Sequence, residues 1–378
     1  MRVYVGCVGC EQRRIDAQRV VNYFKANGAK IVESPKDCDH AIVITCAVDS
    51  SNEEKSISKL ADIARELPTG IKVTVGGCLP AISPSRLADY PIDGTFSPRD
   101  MESLDAKFHL PVLMENIFRP NISGFDPEIQ NMHGLAASPR EEYENSKRGF
   151  KIVIDDGCLL NCSYCMIKKA TGKLKSVDQQ VILRQIMEAV LRGERTIMLV
   201  GGDTGAYGKE IKTGLHHLLK DIASVPGDFR LFIHDFNVNW LIRDAEEYLA
   251  VFSSVNGQRI RGISFPIQSG SDRILTLMKR LHKAESAARV LKLVRLNSPH
   301  INLGTHIMIG FPSETNADFE ATFGMLEYVG FDFITCFPYS EHPLADSAAI
   351  TGKIEPEIVE ARIARLSSVF GDRIKIMR

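Results

Sequence analysis

Cys158, Cys162 and Cys165 stand in the segment GCLLNCSYC with the spacing C-x3-C-x2-C, and Tyr164 precedes the last of them. Three thiolates this close in sequence suit three irons of a [4Fe-4S] cube and leave the fourth iron without a protein ligand. An open iron can chelate the amino and carboxylate groups of S-adenosylmethionine. An electron from the cube then cleaves the sulfonium to a 5′-deoxyadenosyl radical. Zinc is the competing reading, but a closed tetrahedral zinc site needs a fourth Cys or His, and none stands near these three.

The chain has nine cysteines, an odd number that does not suit a secreted disulfide framework. Cys10, Cys46 and Cys78 each end a short apolar run, in VYVGCVGC, AIVITC and VTVGGC. If those runs are neighbouring parallel strands, the three thiols converge on one edge of a sheet; the alternative is three small buried hydrophobes. Cys7 forms a C-x-x-C pair with Cys10 but falls inside the strand passage and reads as structural. Cys38 and Cys336 read as packing residues.

Two stretches of alternating elements position these groups. From residue 2 to about 95, β-rich runs alternate with helix-period segments over Arg13–Asn27 and Glu53–Glu66, which predicts a small parallel sheet with covering helices. Residues 111–148 collect Pro, Gly, Asn, Ser and charge and read as a linker. From Phe150, strand and helix repeat about six times: FKIVIDD, TIMLVGG, FRLFIHDF, RGISFPI, NLGTHIMIGF and FDFITCF, with helices near 178–192, 211–223, 242–253, 271–279, 285–295 and 316–329. The fold class is therefore α/β, a Rossmann or flavodoxin-like N-terminal domain (1–110) followed by a partial (β/α)6 barrel (149–378). Chemistry is expected at the C-terminal strand ends. The tail 355–378 reads as one amphipathic helix.

Composition excludes several classes. With 46 Lys and Arg against 47 Asp and Glu, the net charge is -1, so no global positive field gathers nucleic acid. No apolar run approaches membrane-spanning length and the N-terminus lacks a secretory pattern, so a cytoplasmic protein is expected, with no membrane partner.

The segments GCLLNCSYC, FPIQSGSDRIL (265–275), IMIGFPSET (307–315) and the loops around Cys10, Cys46 and Cys78 resemble the radical S-adenosylmethionine methylthiotransferases over almost the whole chain. VGGDTGAYGKEI (200–211) is most similar to the archaeal and eukaryotic branch that modifies threonylcarbamoyladenosine in transfer RNA. The resemblance implies a second [4Fe-4S] cluster on Cys10, Cys46 and Cys78, whose open iron carries the sulfur to be transferred, and an electron donor such as flavodoxin or ferredoxin. Two cubes meet a chemical need, because C–S bond formation at an unactivated carbon requires both a hydrogen abstraction and a sulfur held within bonding distance.

Further positions follow from the same segments. Gly201, Gly202 and Asp203 stand where the superfamily receives the methionine ammonium; the glycines allow close backbone approach and Asp203 offers an acceptor. Gln268, Ser269 and Ser271 are candidates to reach S-adenosylmethionine or substrate, and the Gly310-Phe311-Pro312 turn to meet adenine, with Glu314 as a cap of the next helix. Lys168, Lys169, Lys173 and Lys175 either receive phosphate or form a solvated face. His234 and Asp235, at a strand end, are candidate substrate contacts.

The chain also departs from the family. No C-terminal TRAM-type barrel is expected after residue 378. The usual GCQMN loop reads Gly9-Cys10-Glu11-Gln12-Arg13, the R-P-G-T segment reads Glu341-His342-Pro343-Leu344-Ala345, and the R-G after the cluster motif reads Thr171-Gly172. Residues 1–110, with 14 basic and 15 acidic side chains, offer no aggregate RNA-binding charge. These departures favour sulfur transfer to a small molecule, such as a nucleoside, nucleotide or peptide. The alternative is methylthiolation of threonylcarbamoyladenosine at position 37 of transfer RNA. A cobalamin methylase fits less well, since Asp39-His40 lacks the D-x-H-x-x-G pattern, and a simple electron carrier has no need of an open-iron barrel.

Overall fold

The structure, a computed structural model, describes residues 1–119 and 149–377. Most of the expected linker therefore lies outside the described residues. The described residues of Met1–Glu144 form one compact unit together with Met166–Lys173, and those of Asn145–Cys165 form a second with Leu174–Arg378.

The first unit carries a five-stranded parallel sheet of β1 (Arg2–Cys7), β2 (Lys30–Val32), β3 (His40–Thr45), β4 (Val73–Gly77) and β5 (Ile92–Thr95), in the order β2-β1-β3-β4-β5. This is the flavodoxin-like order, whose switch point between β1 and β3 is where such sheets receive ligands. Helices α1 (Glu11–Ala26), α2 (Ser50–Glu66), α3 (Leu79–Ile82) and α4 (Ser103–Phe108) follow the strands. Val3, Val5, Ile42 and Ile44 bury one sheet face against Ala17, Val20, Val21 and Phe24 of α1 and against Phe96, Met101 and Leu104. Each such fully buried Val or Phe contributes about 1.5–3 kcal/mol. Cys7 belongs to this core, and the Cys38 thiol donates to the Pro35 carbonyl at 3.1 Å, so both are structural as expected. The short helix α5 (Ile167–Thr171) also belongs to this unit and packs on α3.

The second unit is singly wound. Its parallel strands are β6 (Phe150–Val153), β9 (Thr196–Val200), β10 (Arg230–Ile233), β11 (Ile260–Gln268), β12 (Asn302–Ile309), β13 (Phe333–Pro338) and β14 (Ile374–Ile376), adjacent in that order, with a two-stranded antiparallel pair β7 (Asp155–Asp156) and β8 (Lys175–Ser176) beside them. The connecting helices are α6 (Gln179–Leu191), α7 (Leu215–Ala223), α8 (Val238–Arg243), α9 (Ala245–Ser253), α10 (Asp272–Leu277), α11 (Ala284–Asn297), α12 (Asn316–Val329) and α13 (Pro356–Phe370). Alternation along β12 sends Leu303, Ile307 and Ile309 into the core shared with these helices, while His306 lies on the opposite face, as the two-residue period of a strand requires. Two elements differ from expectation. Asp244 divides the predicted 242–253 helix into α8 and α9, with Asn237 capping α8 through the Asn239 amide. The tail is not one helix either: it ends at Gly371, whose φ of 50° breaks the α-helical path, and β14 then pairs parallel to β13.

Candidate functional site

In the first unit the three predicted thiols follow β1, β3 and β4, at and beside the switch point. Backbone hydrogen bonds join the loops: Val8 N–H to the Ile44 carbonyl at 2.8 Å and Cys78 N–H to the Thr45 carbonyl at 2.9 Å. The Ser56 hydroxyl, from α2, holds Cys46 at both its amide (3.0 Å) and its carbonyl (2.7 Å). Gly77 is obligatory here, since it has φ of 95° and a Cβ on it would lie 2.3 Å from the Thr45 carbonyl oxygen. Cys10 occupies the N-cap position of the sixteen-residue helix α1 without a side-chain capping bond, and Cys78 precedes α3, so both stand at helix N-termini, where negative charge is favoured.

Cys46 and Cys78 are buried and hydrogen-bonded to each other, and Cys10 is exposed. The bond from Cys46 and the nearby Arg13 pull Cys78 down to about 7, while the same bond and burial hold Cys46 well above the ordinary thiol range. Sequence reasoning missed Arg13. It lies in the first turn of α1 at 1% exposure, with its Nη1 3.7 Å from Cys78 Sγ and its Nη2 3.0 Å from Asp16 Oδ2. Gly9 admits it, because a Cβ there would lie 2.7 Å from Arg13 Cβ.

In the second unit the Cys158–Cys165 loop follows β6 and β7. Ser163 anchors it, with its amide on the Met278 carbonyl (3.0 Å) and its hydroxyl on that of Leu277 (2.8 Å). The Leu160 amide points to Cys158 Sγ at 3.3 Å, and burial, the largest influence, pushes that thiol up to about 12. Arg280, a second cation that sequence reasoning missed, places Nη1 3.7 Å from Cys162 Sγ. Tyr164 packs beside Phe311 and Met278, and burial raises its phenol further.

The Gly201-Gly202 turn presses on this loop. A Cβ at Gly202 would stand 2.0 Å from the Gly157 carbonyl oxygen, and one at Gly201 would stand 2.4 Å from a carboxylate oxygen of Asp155. Asp155 Oδ1 accepts from the amides of Gly202 (2.7 Å) and Asp203 (3.2 Å). Asp203 is buried and already engaged, accepting from Trp240 Nε1 at 2.9 Å and the Asn237 amide at 3.2 Å; burial raises it to about 6. Its carboxylate orders the loop in this structure, a role that the expected ammonium contact did not include.

Gln268 ends β11 at a register shift, with φ of 77° and, among the described residues, no partner for its buried Oε1. Strained backbone with an unpaired polar atom keeps Gln268 a candidate for binding. Ser269 and Ser271 instead turn to α12: Ser269 meets the Thr322 hydroxyl at 3.2 Å, and Ser271 donates to Asp318 at 2.5 Å while capping α10. Gly310 has φ of 81° and donates its amide to Glu314 at 2.8 Å. Phe311 is fully buried with the Tyr164 group. Pro312 follows in the same turn. Glu314 does not cap the helix, a part taken by Thr315 with Asp318; it pairs with Arg362 at 2.6 Å.

Asp235, at φ of 55°, faces His306 Nδ1 at 3.6 Å, and His306 Nε2 lies 3.2 Å from the Ser264 hydroxyl, forming a polar line across three strands. His234 uses its backbone, its amide bonding Leu199 and its carbonyl accepting from Thr204 at 2.6 Å. Lys169, Lys173 and Lys175 are exposed and Lys168 half-buried. The first two and Lys168 belong to the N-terminal unit, and Lys175 to the second, on β8.

The donor sets suit iron-sulfur cubes. Among the described residues no three Cys, His, Asp or Glu side chains close around a single metal ion. A cube distributes its thiolates over separate irons and therefore needs wider spacing than a mononuclear ion. In each unit a guanidinium stands 3.7 Å from one sulfur, a counter-charge for an anionic cluster.

Residues 152–326 match the radical SAM superfamily, and residues 2–95 match an uncharacterized protein family, UPF0004. A probable threonylcarbamoyladenosine tRNA methylthiotransferase of Pyrococcus horikoshii is 28% identical over 91% of this chain and 78% of its own length. The ribosomal protein uS12 methylthiotransferase RimO of Thermosipho africanus is 29% identical over 100% and 84%. Among solved structures, the radical S-adenosylmethionine methyltransferase TsrM of Kitasatospora setae, with cobalamin and a [4Fe-4S] cluster bound, aligns with a TM-score of 0.63 over 92% of this chain and 76% of its own, at 13% identity, a likeness of fold. Relatives named for transfer RNA and a ribosomal protein do not support the expected small-molecule substrate. No helix of the described residues is long and apolar enough to cross a membrane. With one matched region in each unit and relatives aligned along nine-tenths of its length, this chain is similar to the radical S-adenosylmethionine methylthiotransferases, a likeness that supports an enzyme with two [4Fe-4S] clusters and S-adenosylmethionine as cofactors.

Proposed function

We propose that this enzyme methylthiolates the threonylcarbamoyl-modified adenosine of transfer RNA. The observation that carries the reading is the meeting of Cys10, Cys46 and Cys78 at the sheet's switch point, in a chain whose barrel carries a second thiol triad. Relatives named for that nucleoside in Pyrococcus horikoshii and Thermotoga maritima, each aligned over more than nine-tenths of this chain, support the choice of substrate. When bound, the clusters and S-adenosylmethionine supply a 5′-deoxyadenosyl radical and the sulfur and methyl to be transferred.

The chain's residues divide the remaining work. Cys158, Cys162 and Cys165 hold one cluster on a loop that Ser163 and the Gly201-Gly202 turn fix in place. Cys10, Cys46 and Cys78 hold the other. Gln268, through its unpaired amide oxygen, and the Gly310 turn receive polar edges of S-adenosylmethionine, while Asp155 and Asp203 keep the neighbouring loop in register. Asp235 and His306 face the substrate. Lys169 and Lys173 receive phosphate, a sequence-independent contact that positions RNA.

The test is anaerobic turnover with dithionite, S-adenosylmethionine and transfer RNA bearing threonylcarbamoyladenosine, followed by nucleoside mass spectrometry. The expected product carries a methylthio group and is absent when Cys10, Cys46 and Cys78 are all Ala. Unmodified nucleoside, alongside 5′-deoxyadenosine formation by the same preparation, would refute this substrate and return the search to other acceptors.

A further inference from the structure

Arg13 holds a fixed positive charge against the thiols of the first unit. Its guanidinium is almost wholly buried and sits in the first turn of α1, where a helix disfavours a cation. Asp16 is its carboxylate partner at 3.0 Å, but Asp16 also faces Arg119, whose Nη2 lies 3.7 Å from its other oxygen. Arg13 Nε has no hydrogen-bond acceptor among the described residues, and Nη1 turns to Cys78 Sγ at 3.7 Å. Burial is the largest influence on Arg13 and works against its charge; Asp16 and the three thiols together outweigh it. A buried positive charge is costly unless an anion answers it. Nη1 is the edge that faces the thiols, and Gly9 is the residue whose lack of a Cβ lets the arginine reach them.

We infer that Arg13 is a positioning residue for electrons at the cluster on Cys10, Cys46 and Cys78: its fixed charge stabilises the reduced, more negative form of that cluster and raises its reduction potential. The inference rests on the reading of those three cysteines as cluster ligands. It also gives meaning to the loop Gly9-Cys10-Glu11-Gln12-Arg13, which departs from the family pattern at this position. Asp16 acts in the opposite sense, because it offsets part of the charge that Arg13 presents.

The test uses the full chain with Cys158, Cys162 and Cys165 changed to Ala, reconstituted with iron and sulfide, so that one cluster remains to be titrated by electron paramagnetic resonance against applied potential. Iron retained at about four per chain supports the ligand reading; no retained iron overturns that reading and the inference with it. In this background Arg13→Gln is expected to lower the reduced-to-oxidised ratio at fixed potential at least ten-fold, a shift of about 59 mV for a one-electron couple. Arg13→Lys restores most of the potential, and Asp16→Asn moves it upward. If Arg13→Gln fails to assemble a cluster, Arg13→Lys and Asp16→Asn still decide. An unchanged midpoint in Asp16→Asn, or shifts of the same sign for Arg13→Gln and Asp16→Asn, would show a merely structural arginine and overturn the proposal.

Discussion

Gly202→Ala tests the link between fold and cluster loop most directly. The added Cβ would stand 2.0 Å from the Gly157 carbonyl oxygen and 2.9 Å from its carbon, whereas real Cβ atoms essentially never approach within 3.0 Å. The obstacle is backbone, so no side-chain rotation relieves it, and the loop leading into Cys158 must move by at least about 1 Å. Overpacking of this kind costs about 1–3 kcal/mol, and a rigid backbone contact belongs at the upper end. For a unit of this size, about 3 kcal/mol lowers the melting temperature by about 6–12 °C. A displacement of about 1 Å at a reacting centre costs about 100-fold in rate. The assay pairs calorimetry with 5′-deoxyadenosine formation from S-adenosylmethionine after dithionite reduction, at a temperature where the variant is still folded. Wild-type melting together with a wild-type rate would refute the claim that this glycine sets the position of the cluster loop.

Three further outcomes follow from the same geometry. Gly324, in the middle of α12, has no neighbour within 4 Å of an added Cβ, so Gly324→Ala is expected to stabilise by about 1 kcal/mol in thermal unfolding. Ser56→Ala leaves the buried amide of Cys46 without its hydroxyl partner, a loss of about 1–3 kcal/mol, and should release iron from the N-terminal cluster while sparing the other, as read by metal analysis in single-cluster variants. Burial raises Asp203 from 3.8 to about 6, so the fold prefers its neutral form. The stability it contributes is therefore lost as pH rises from about 4 to about 6, by up to about 3 kcal/mol. Asp203→Asn should flatten that slope in cluster-free protein, and an unchanged melting profile across this window would contradict the assignment.

The elements that carry the candidate site were legible because their signals are local. Apolar runs ending in cysteine marked β1, β3 and β4, and C-x3-C-x2-C marked the barrel loop, since thiol spacing and strand alternation are written within a few residues. The small-molecule substrate expected from loops and net charge finds no support: an aggregate charge near zero does not report where individual lysines lie, and the relatives are named for transfer RNA and a ribosomal protein. Ser269 and Ser271 looked like ligand contacts because they follow a strand, but α12, some fifty residues later, supplies Thr322 and Asp318 to engage them.

Short-range pattern is enough to yield the α/β alternation, the two cysteine triads and the family they resemble. The tertiary structure alone sets which cations accompany the sulfurs. Arg13 reaches Cys78 across 65 positions of sequence, and Arg280 reaches Cys162 across 118. It also decided that Trp240 occupies Asp203 and that β14 closes onto β13. Such pairings depend on chain crossovers that bring distant segments to one sheet edge. There the strength of an electrostatic contact follows from burial and distance, neither of which is encoded in the order of residues around either partner.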